Sequence, residues 1–203
     1  KDIKNFDDNK YFKFINSGTI DPYSTLWGER KTQYIKNQYQ NPVINKKELG
    51  IISTLRESIS SVEKIIVANM TRGLECVYDS GKIMAGKSTT VILKGKSNID
   101  LKILIGFLNS ELISYFILTY FNSLKMAGGY INFGKDQIHN IPFPKIIIEK
   151  DQIIKNVNII INKKNKNYNS DISKELIKID KLIYKNFNIN QNEIKEIKNY
   201  LQL

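Results

Sequence analysis

Cysteine, histidine and arginine are scarce in this chain. Its 203 residues include one cysteine, Cys76, and one histidine, His139. These counts exclude a disulfide framework, a multi-cysteine zinc site and any metal site built on two or more histidines. The sequence also lacks a signal-peptide pattern and an apolar run approaching the ~18 residues that a membrane span needs. We therefore expect a soluble protein of the reducing cytoplasm, with no membrane partner, and the start at Lys1 suggests a piece of a longer protein.

Positive charge is abundant, but almost all of it is lysine. Lys and Arg number 31 against 20 Asp and Glu, a formal charge of +11, and the only arginines are Arg30, Arg56 and Arg72. The chain is also rich in isoleucine and asparagine, a bias expected from an A/T-rich coding sequence, so part of the charge is background. The remainder is compatible with a polyanionic partner, whose phosphates would meet mainly lysine ammonium groups.

Hydrophobic residues make up 41% of the chain and aromatic residues 10%, enough for a real core. Apolar, β-branched runs of strand length occur at Lys64–Asn69, Leu74–Tyr78 and Ser88–Leu93. No crossover helix fits between them, so we predict an antiparallel meander. Phe12 and Phe14 alternate as in a short strand, in a region otherwise rich in turn formers.

Helical patterns dominate the rest of the chain. A helix is expected over Lys46–Ser60, and Asp100 is placed to cap a helix pair that is interrupted at Asn109-Ser110. After Pro144 two apolar stripes flank a polar linker, Lys163–Ser170, and Asn190 and Glu193 have the spacing of a capping box. We predict an α+β domain over residues 1–148, with an antiparallel or mixed sheet and packed helices, followed by an all-helical extension over residues 149–203.

Catalytic motifs are not convincing. Gly81–Ser88 has the letters of a phosphate-binding loop, but β-branched residues follow it where such a loop needs a helix. His139 lies near a turn, and Asp7 and Asp8 lie in a polar stretch typical of a turn or helix start. Polar residues suited to base and phosphate contacts cluster instead in turns, which ordinary surface turns also explain.

The order of segments resembles a known family. The segments that carry the likeness are Lys64–Asp79, the Leu-Asn-Ser helix junction within Leu104–Phe116, the stretch Leu124-Lys-Met-Ala-Gly-Gly-Tyr-Ile-Asn-Phe-Gly134 and the closing Ile141-Pro-Phe-Pro144. Together they resemble the TaqI-like C-terminal specificity domain, over roughly Tyr11 to Leu203. This is the target-recognition domain of adenine-specific DNA methyltransferases and of fused type II restriction-modification enzymes.

The resemblance implies a double-stranded DNA partner and an N-terminal methyltransferase domain, possibly with a nuclease, in the same polypeptide. The methyltransferase signature and the glycine element for S-adenosylmethionine are absent here: Asn41-Pro-Val-Ile44 has one proline and no aromatic residue. We therefore expect no cofactor in this chain, S-adenosylmethionine in the full-length enzyme, and no base flipping or methylation by this chain alone.

Individual base contacts cannot be transferred from the family, so the candidate residues are chosen from the turns. The first choices for phosphate or base contacts are Arg72, Lys87 and Lys125. Behind them stand a second set: Arg30, Lys31, Asn69, Thr89 and Tyr130. Two alternatives remain open, namely half of a type I restriction specificity subunit and a protein-interaction module without DNA binding. A nuclease fits worst, because no paired-acid and lysine constellation has suitable spacing.

Overall fold

The computed structural model describes residues 1–3, 5–95 and 99–202, so Leu203, the last residue of the predicted extension, lies outside the described residues. Within them the fold is mixed α+β, as predicted, with small sheets first and long helices last. The strands are β1 (Tyr11–Ile15), β2 (Ile20–Asp21), β3 (Ser24–Thr25), β4 (Thr32–Tyr34), β5 (Asn37–Tyr39), β6 (Val43–Asn45), β7 (Lys64–Ala68), β8 (Met70–Thr71), β9 (Cys76–Asp79), β10 (Ile83–Ala85), β11 (Thr89–Leu93) and β12 (Ile131–Asn132). The helices are α1 (Lys46–Ile52), α2 (Thr54–Ser60), α3 (Leu101–Leu108), α4 (Glu111–Tyr120), α5 (Lys135–His139), α6 (Lys150–Lys166), α7 (Ser173–Asn186) and α8 (Gln191–Leu201).

The central sheet contains the three predicted strands. All five residues of β7 are buried, and β9 and β11 pair with it antiparallel, one on each side. The antiparallel pairing is confirmed, but the meander is wrong because the strand order is β11-β7-β9. The reason is β10, which lies between β9 and β11 in sequence but pairs in a different sheet and carries the chain round to the other edge of β7.

The second sheet has the order β10-β1-β6 and mixes strand directions. Phe12 pairs antiparallel with Ile44 of β6, whereas Phe14 pairs in parallel with Met84 of β10. Three two-stranded ladders, β2–β3, β4–β5 and β8–β12, complete the β structure of the described residues.

The predicted helix pair is present as α3 and α4. Asp100 caps α3, accepting a hydrogen bond from the amide of Lys102 at 2.7 Å, and Ser110 caps α4. Asn109, between the helices, pairs with the backbone of Cys76: its Oδ1 accepts from the Cys76 amide at 3.0 Å and its Nδ2 donates to the carbonyl at 2.9 Å. The helix junction therefore completes the hydrogen bonding at the free edge of β9.

In the described part of the chain, no single helix is long and apolar enough to cross a membrane. The helices α3 and α4 meet the criteria of length and apolar composition only when they are counted together, and the chain bends by 57° between them.

Two of the last three helices, α6 and α7, contribute to the same core as the central sheet. Ile153 and Val157 of α6 and Ile179 of α7 are buried in one cluster with Ile65 and Phe107. The boundary between residues 1–148 and 149–203 stays a prediction. The capping box of Asn190 and Glu193 is confirmed, but α6 extends to Lys166, so the first part of the predicted polar linker is helical.

The helix predicted over Lys46–Ser60 is two helices. Ser53 has an extended backbone, with φ of −161°, and its side chain accepts a hydrogen bond from the amide of Arg56. A serine that caps α2 interrupts the helical ladder, because the capping residue must leave the helical conformation. Ile51, Ile52 and Leu55 are left exposed at this break.

Candidate nucleic-acid interface

Three loops meet at a hydrogen-bonded junction of Ser17, Asn69 and Ser88, which we call the serine junction. The amide of Asn69 donates to Oγ of Ser17 at 3.0 Å and to the carbonyl of Ser88 at 3.2 Å. Ser17 Oγ in turn donates to the carbonyl of Ser88. Because Ser17 follows β1, Asn69 follows β7 and Ser88 precedes β11, the junction brings together polar turns that are distant in sequence.

The glycine-rich loop Lys125–Gly134 reaches the same place through β12. Asn132 pairs with Met70 of β8, and the amide of Phe133 donates to the carbonyl of Asn69 at 2.6 Å. Gly128 and Gly129 have φ of +82° and +79°, a conformation that favours glycine. The loop is therefore tightly turned and fixed at its end.

Arg72 lies where these two segments meet. Its Nε donates to the carbonyl of Gly128 at 3.1 Å, and its guanidinium carbon is 5.5 Å from the centre of the Tyr130 ring. Both side chains are exposed. The hydrogen bond and the aromatic contact orient the guanidinium, and no described residue accepts from its two terminal amino groups. Arg72 is thus a pre-oriented donor facing solvent.

Asn69 and Thr89 have internal partners. Oδ1 of Asn69 accepts from the hydroxyl of Thr90 at 2.7 Å, and the hydroxyl of Thr89 donates to the carbonyl of Gly86 at 2.7 Å. Both residues are half-buried. These bonds stabilise the turns that present the neighbouring cations.

Lys87 and Lys125 have no ion pair with any described residue. Lys87 is exposed on the turn between β10 and β11, next to Ser88 of the serine junction, and Lys125 is half-buried at the start of the glycine-rich loop. Exposed ammonium groups without a carboxylate partner are available to phosphate.

Arg30 reaches the region from the side, and Lys31 follows it in the chain. Both are exposed, and Nη1 of Arg30 donates to the carbonyl of Gly18, next to Ser17, at 3.1 Å. The pKa of the nearby Glu75 is raised to about 7, mainly by burial and also by Asp21, while the positive charge of Arg30 opposes the increase. The charge of Arg30 therefore acts on Glu75 of the chain itself.

Four side chains that the sequence analysis did not select also belong here. Ser17 forms the serine junction, and Arg56 lies with Tyr34 and Tyr39 around a cavity that Lys87 borders. Arg56 could have been selected from the sequence because the chain has only three arginines. Tyr34 and Tyr39 could have been selected because they lie in the aromatic, turn-rich first forty-five residues. No local pattern marks Ser17, because its partners lie far along the chain.

Comparison with known families agrees with this geometry. The model of the TaqI-like C-terminal specificity domain matches residues 12–143, nearly two thirds of the chain. The chain belongs to this family. The match includes the sheets, the helix pair, the glycine-rich loop and all eight predicted contact residues, whereas α6, α7 and α8 lie beyond it. No curated protein matches the chain.

A TaqI-like specificity domain is a DNA target-recognition domain of restriction-modification enzymes, and it works with a catalytic domain. The phosphate-loop letters at Gly81–Ser88 have no such role in this specificity domain. Ile83–Ala85 within them is strand β10, and Thr89 begins β11, so no helix N-terminus follows.

Three further side chains with titratable or nucleophilic groups are Cys76, Asp8 and His139. Cys76 is fully buried, and burial raises the pKa of its thiol, which disfavours the reactive thiolate. Asp8 pairs with Lys82 at 2.6 Å, and this contact lowers the pKa of the carboxyl. His139 is exposed at the end of α5. Among the described residues no three His, Cys, Asp or Glu side chains gather to hold a metal.

Proposed function

We propose that this specificity domain reads a short sequence in duplex DNA and positions the duplex for an adenine-specific methyltransferase domain of the same polypeptide. The observation that carries the proposal is the convergence of four polar loops on the serine junction, with Arg72 pre-oriented among them. Rigid loops carrying unpaired cations and one fixed arginine suit a groove of DNA, where arginine commonly binds the edge of guanine. S-adenosylmethionine would be bound by the methyltransferase domain, in the cytoplasm.

The contacts divide into two kinds. Arg72 is the first candidate for base reading, because its planar guanidinium is oriented by Gly128 and Tyr130 and can donate two parallel hydrogen bonds. Lys87, Lys125 and Lys31 supply point charges for phosphate, which strengthen binding to every sequence alike. Met70, Met126 and Tyr130 are exposed on β8 and the glycine-rich loop, the two segments that meet at Arg72, and they offer apolar surface to thymine methyl groups.

The packing of the helices after Pro144 helps to weigh the alternative that the chain is half of a type I restriction specificity subunit. In a spacer role they would dock on another subunit, but here Ile153, Val157 and Ile179 are buried against the chain's own core. This arrangement favours a self-contained domain.

The test begins with selection from a pool of randomised duplexes, since the target sequence is unknown. Binding of the enriched duplex is then measured by fluorescence anisotropy. Arg72→Ala should weaken binding by about 1–3 kcal/mol and relax the preference at one base pair. Arg72→Lys keeps the positive charge but loses the planar guanidinium that donates two parallel hydrogen bonds. This variant should therefore retain binding to unrelated duplexes while losing the preference for the selected base pair.

Lys87→Ala provides the comparison. It should weaken binding to all duplexes alike and reduce the slope of log affinity against log salt by about 1. Lys181, exposed on α7, serves as a matched control, and Lys181→Ala should bind like wild type. Salt-insensitive binding that is equal for wild type and Arg72→Ala would contradict the proposal.

A further inference from the structure

A cavity lies beside the candidate interface and is not explained by duplex recognition. It encloses about 170 Å³ between the sheet β10-β1-β6, the β4–β5 hairpin and α2. We call it the tyrosine pocket and define it by the lining residues that matter here: Phe14, Tyr34, Tyr39, Arg56, Met84 and Lys87. Its volume is that of about five or six water molecules, the scale of a single heterocyclic ring system.

The floor and wall of the tyrosine pocket are aromatic and apolar. Phe14 and Met84 are neighbours across the parallel β1–β10 pair, and both are almost fully buried. The ring of Tyr34 meets Phe14 edge-on, with ring centres 5.1 Å apart and planes at 78°, and remains 45% exposed. Such a wall offers ring faces and edges to a flat ligand.

The rim is cationic. Arg56 on α2 and Lys87 on the β10–β11 turn are both exposed, and neither side chain has an ion pair or hydrogen bond with a described residue. Among the described residues, no Asp or Glu lines the pocket. The positive charges of Arg56 and Lys87 are therefore not neutralised by the lining and are available to an anionic ligand.

We propose that the tyrosine pocket binds a single nucleotide unit, with the base against the aromatic wall and the phosphate at Arg56 and Lys87. A flat ring and a phosphate in one ligand match the two halves of the lining, and base–aromatic stacking tolerates any base. The unit is either a free nucleoside monophosphate or an unpaired nucleotide of a DNA strand. The inference does not depend on duplex reading by Arg72.

The test uses 2′-deoxyadenosine 5′-monophosphate as the probe. The chain has one tryptophan, Trp27, whose Nε1 donates at 2.8 Å to the carbonyl of Pro42, a lining residue. Its fluorescence should change saturably on titration, and calorimetry should give the same dissociation constant. Deoxyribose 5-phosphate and deoxyadenosine, which each lack one half of the ligand, should bind at least about tenfold more weakly.

Variants locate the site. Tyr39→Ala and Arg56→Ala should each raise the dissociation constant for the monophosphate about tenfold, whereas Lys181→Ala should leave it unchanged. Circular dichroism and the thermal midpoint verify that each variant is folded. Absence of saturable binding at millimolar monophosphate and trinucleotide, or binding that neither pocket variant weakens, would overturn the inference.

A further comparison distinguishes the two sources. A single-stranded trinucleotide that binds more than tenfold tighter than the monophosphate identifies a DNA strand as the ligand, and equal affinities identify the free nucleotide. Duplex binding is measured on the same preparations. Saturable monophosphate binding without salt-sensitive duplex binding would mean that the proposed function alone fails. Duplex binding that Arg72→Ala weakens, without saturable binding of the monophosphate or the trinucleotide, would mean that this inference alone fails.

Discussion

Lys64 illustrates at the residue scale how a charged side chain is accommodated in the core. Its side chain is fully buried, and the ammonium donates to the carbonyl of Ser60 at 2.9 Å, to the carbonyl of Val62 at 3.2 Å and to the carboxylate of Asp79. Burial lowers the pKa of Lys64, and Asp79 opposes that effect. The three donors of the ammonium thus have three acceptors, which makes a buried charge tolerable.

Removing the carboxylate should be severely destabilising. Asp79 also accepts from the backbone amides of Lys82 and Ile83. Asp79→Ala therefore leaves the buried ammonium of Lys64 without its counter-charge and these two amides without their acceptor. We expect a loss of about 3–5 kcal/mol in the free energy of unfolding, measured by urea denaturation.

The control is Asp8→Ala, which breaks an exposed pair with Lys82 and should change stability far less. A loss in Asp79→Ala no larger than that in Asp8→Ala would show that the buried pair is unimportant for stability.

The burial of Lys64 was not predictable from its position. A lysine at the start of an apolar strand is usually exposed, and its partner lies fifteen positions away on a neighbouring strand. In contrast, Asp100 and Asn190 are caps whose partners lie within three residues, so local sequence predicted them.

At the scale of elements, α7 supplies hydrogen-bond partners for Glu111, the first residue of α4. Oδ1 of Asp180 accepts from the amide of Glu111 at 2.8 Å, and the hydroxyl of Tyr184 donates to the Glu111 carboxylate at 2.7 Å. The pKa of Asp180 is raised to about 7, mainly by burial; the Glu111 amide and Lys198 oppose the increase, and the Glu111 carboxylate adds to it. The contact between these helices is therefore sensitive to protonation.

This contact predicts a pH dependence of stability. Between about pH 4 and pH 7 the folded chain keeps a proton on Asp180 that the unfolded chain releases, so the free energy of unfolding falls as pH rises through this window. For one proton the slope is at most about 1.4 kcal/mol per pH unit. Asp180→Asn keeps the acceptor without the titration, and should flatten the dependence.

The measurement is urea denaturation of wild type and Asp180→Asn at several pH values. Glu75, whose pKa is raised in the same direction, contributes equally to both proteins and cancels in the difference. Parallel stability curves for the two proteins would contradict the assignment to Asp180.

Strand existence was easier to predict than strand order. The apolar runs of β7, β9 and β11 predict strands without reference to the rest of the chain, and antiparallel pairing follows from their short connections. Their order depends on β10, whose partner β1 lies near the start of the chain. The same limit applies to the candidate site, because composition identified its turns but only the fold shows that they meet at the serine junction.

At the scale of the whole molecule, one apolar core extends from the central sheet to α6 and α7. At Gly106 on α3 an added Cβ would lie 3.0 Å from Cγ2 of Ile153 and 3.3 Å from Cγ2 of Val157, so α3 and α6 are closely packed. Apolar packing of this kind couples the stability of the two regions.

We therefore expect a single unfolding transition. Ile65→Ala on β7 and Ile160→Ala on α6 each remove a fully buried side chain, and each should lower the stability of that same transition by about 2–5 kcal/mol. Calorimetry and tryptophan fluorescence should report coincident midpoints. Two transitions, with Ile160→Ala affecting only one, would instead support residues 149–203 as an independent unit.

The parallel pairing of β1 with β10 also has a consequence for how the chain folds. Lys13 lies opposite Ile83, so this sheet closes across about seventy positions, whereas β7 and β9 are joined by a short connection. Long loops close slowly, and high contact order slows folding. The β7–β9 hairpin should form early, and the aromatic-rich N-terminal segment should acquire its sheet late, since during synthesis β1 must wait for Ile83–Ala85 to leave the ribosome.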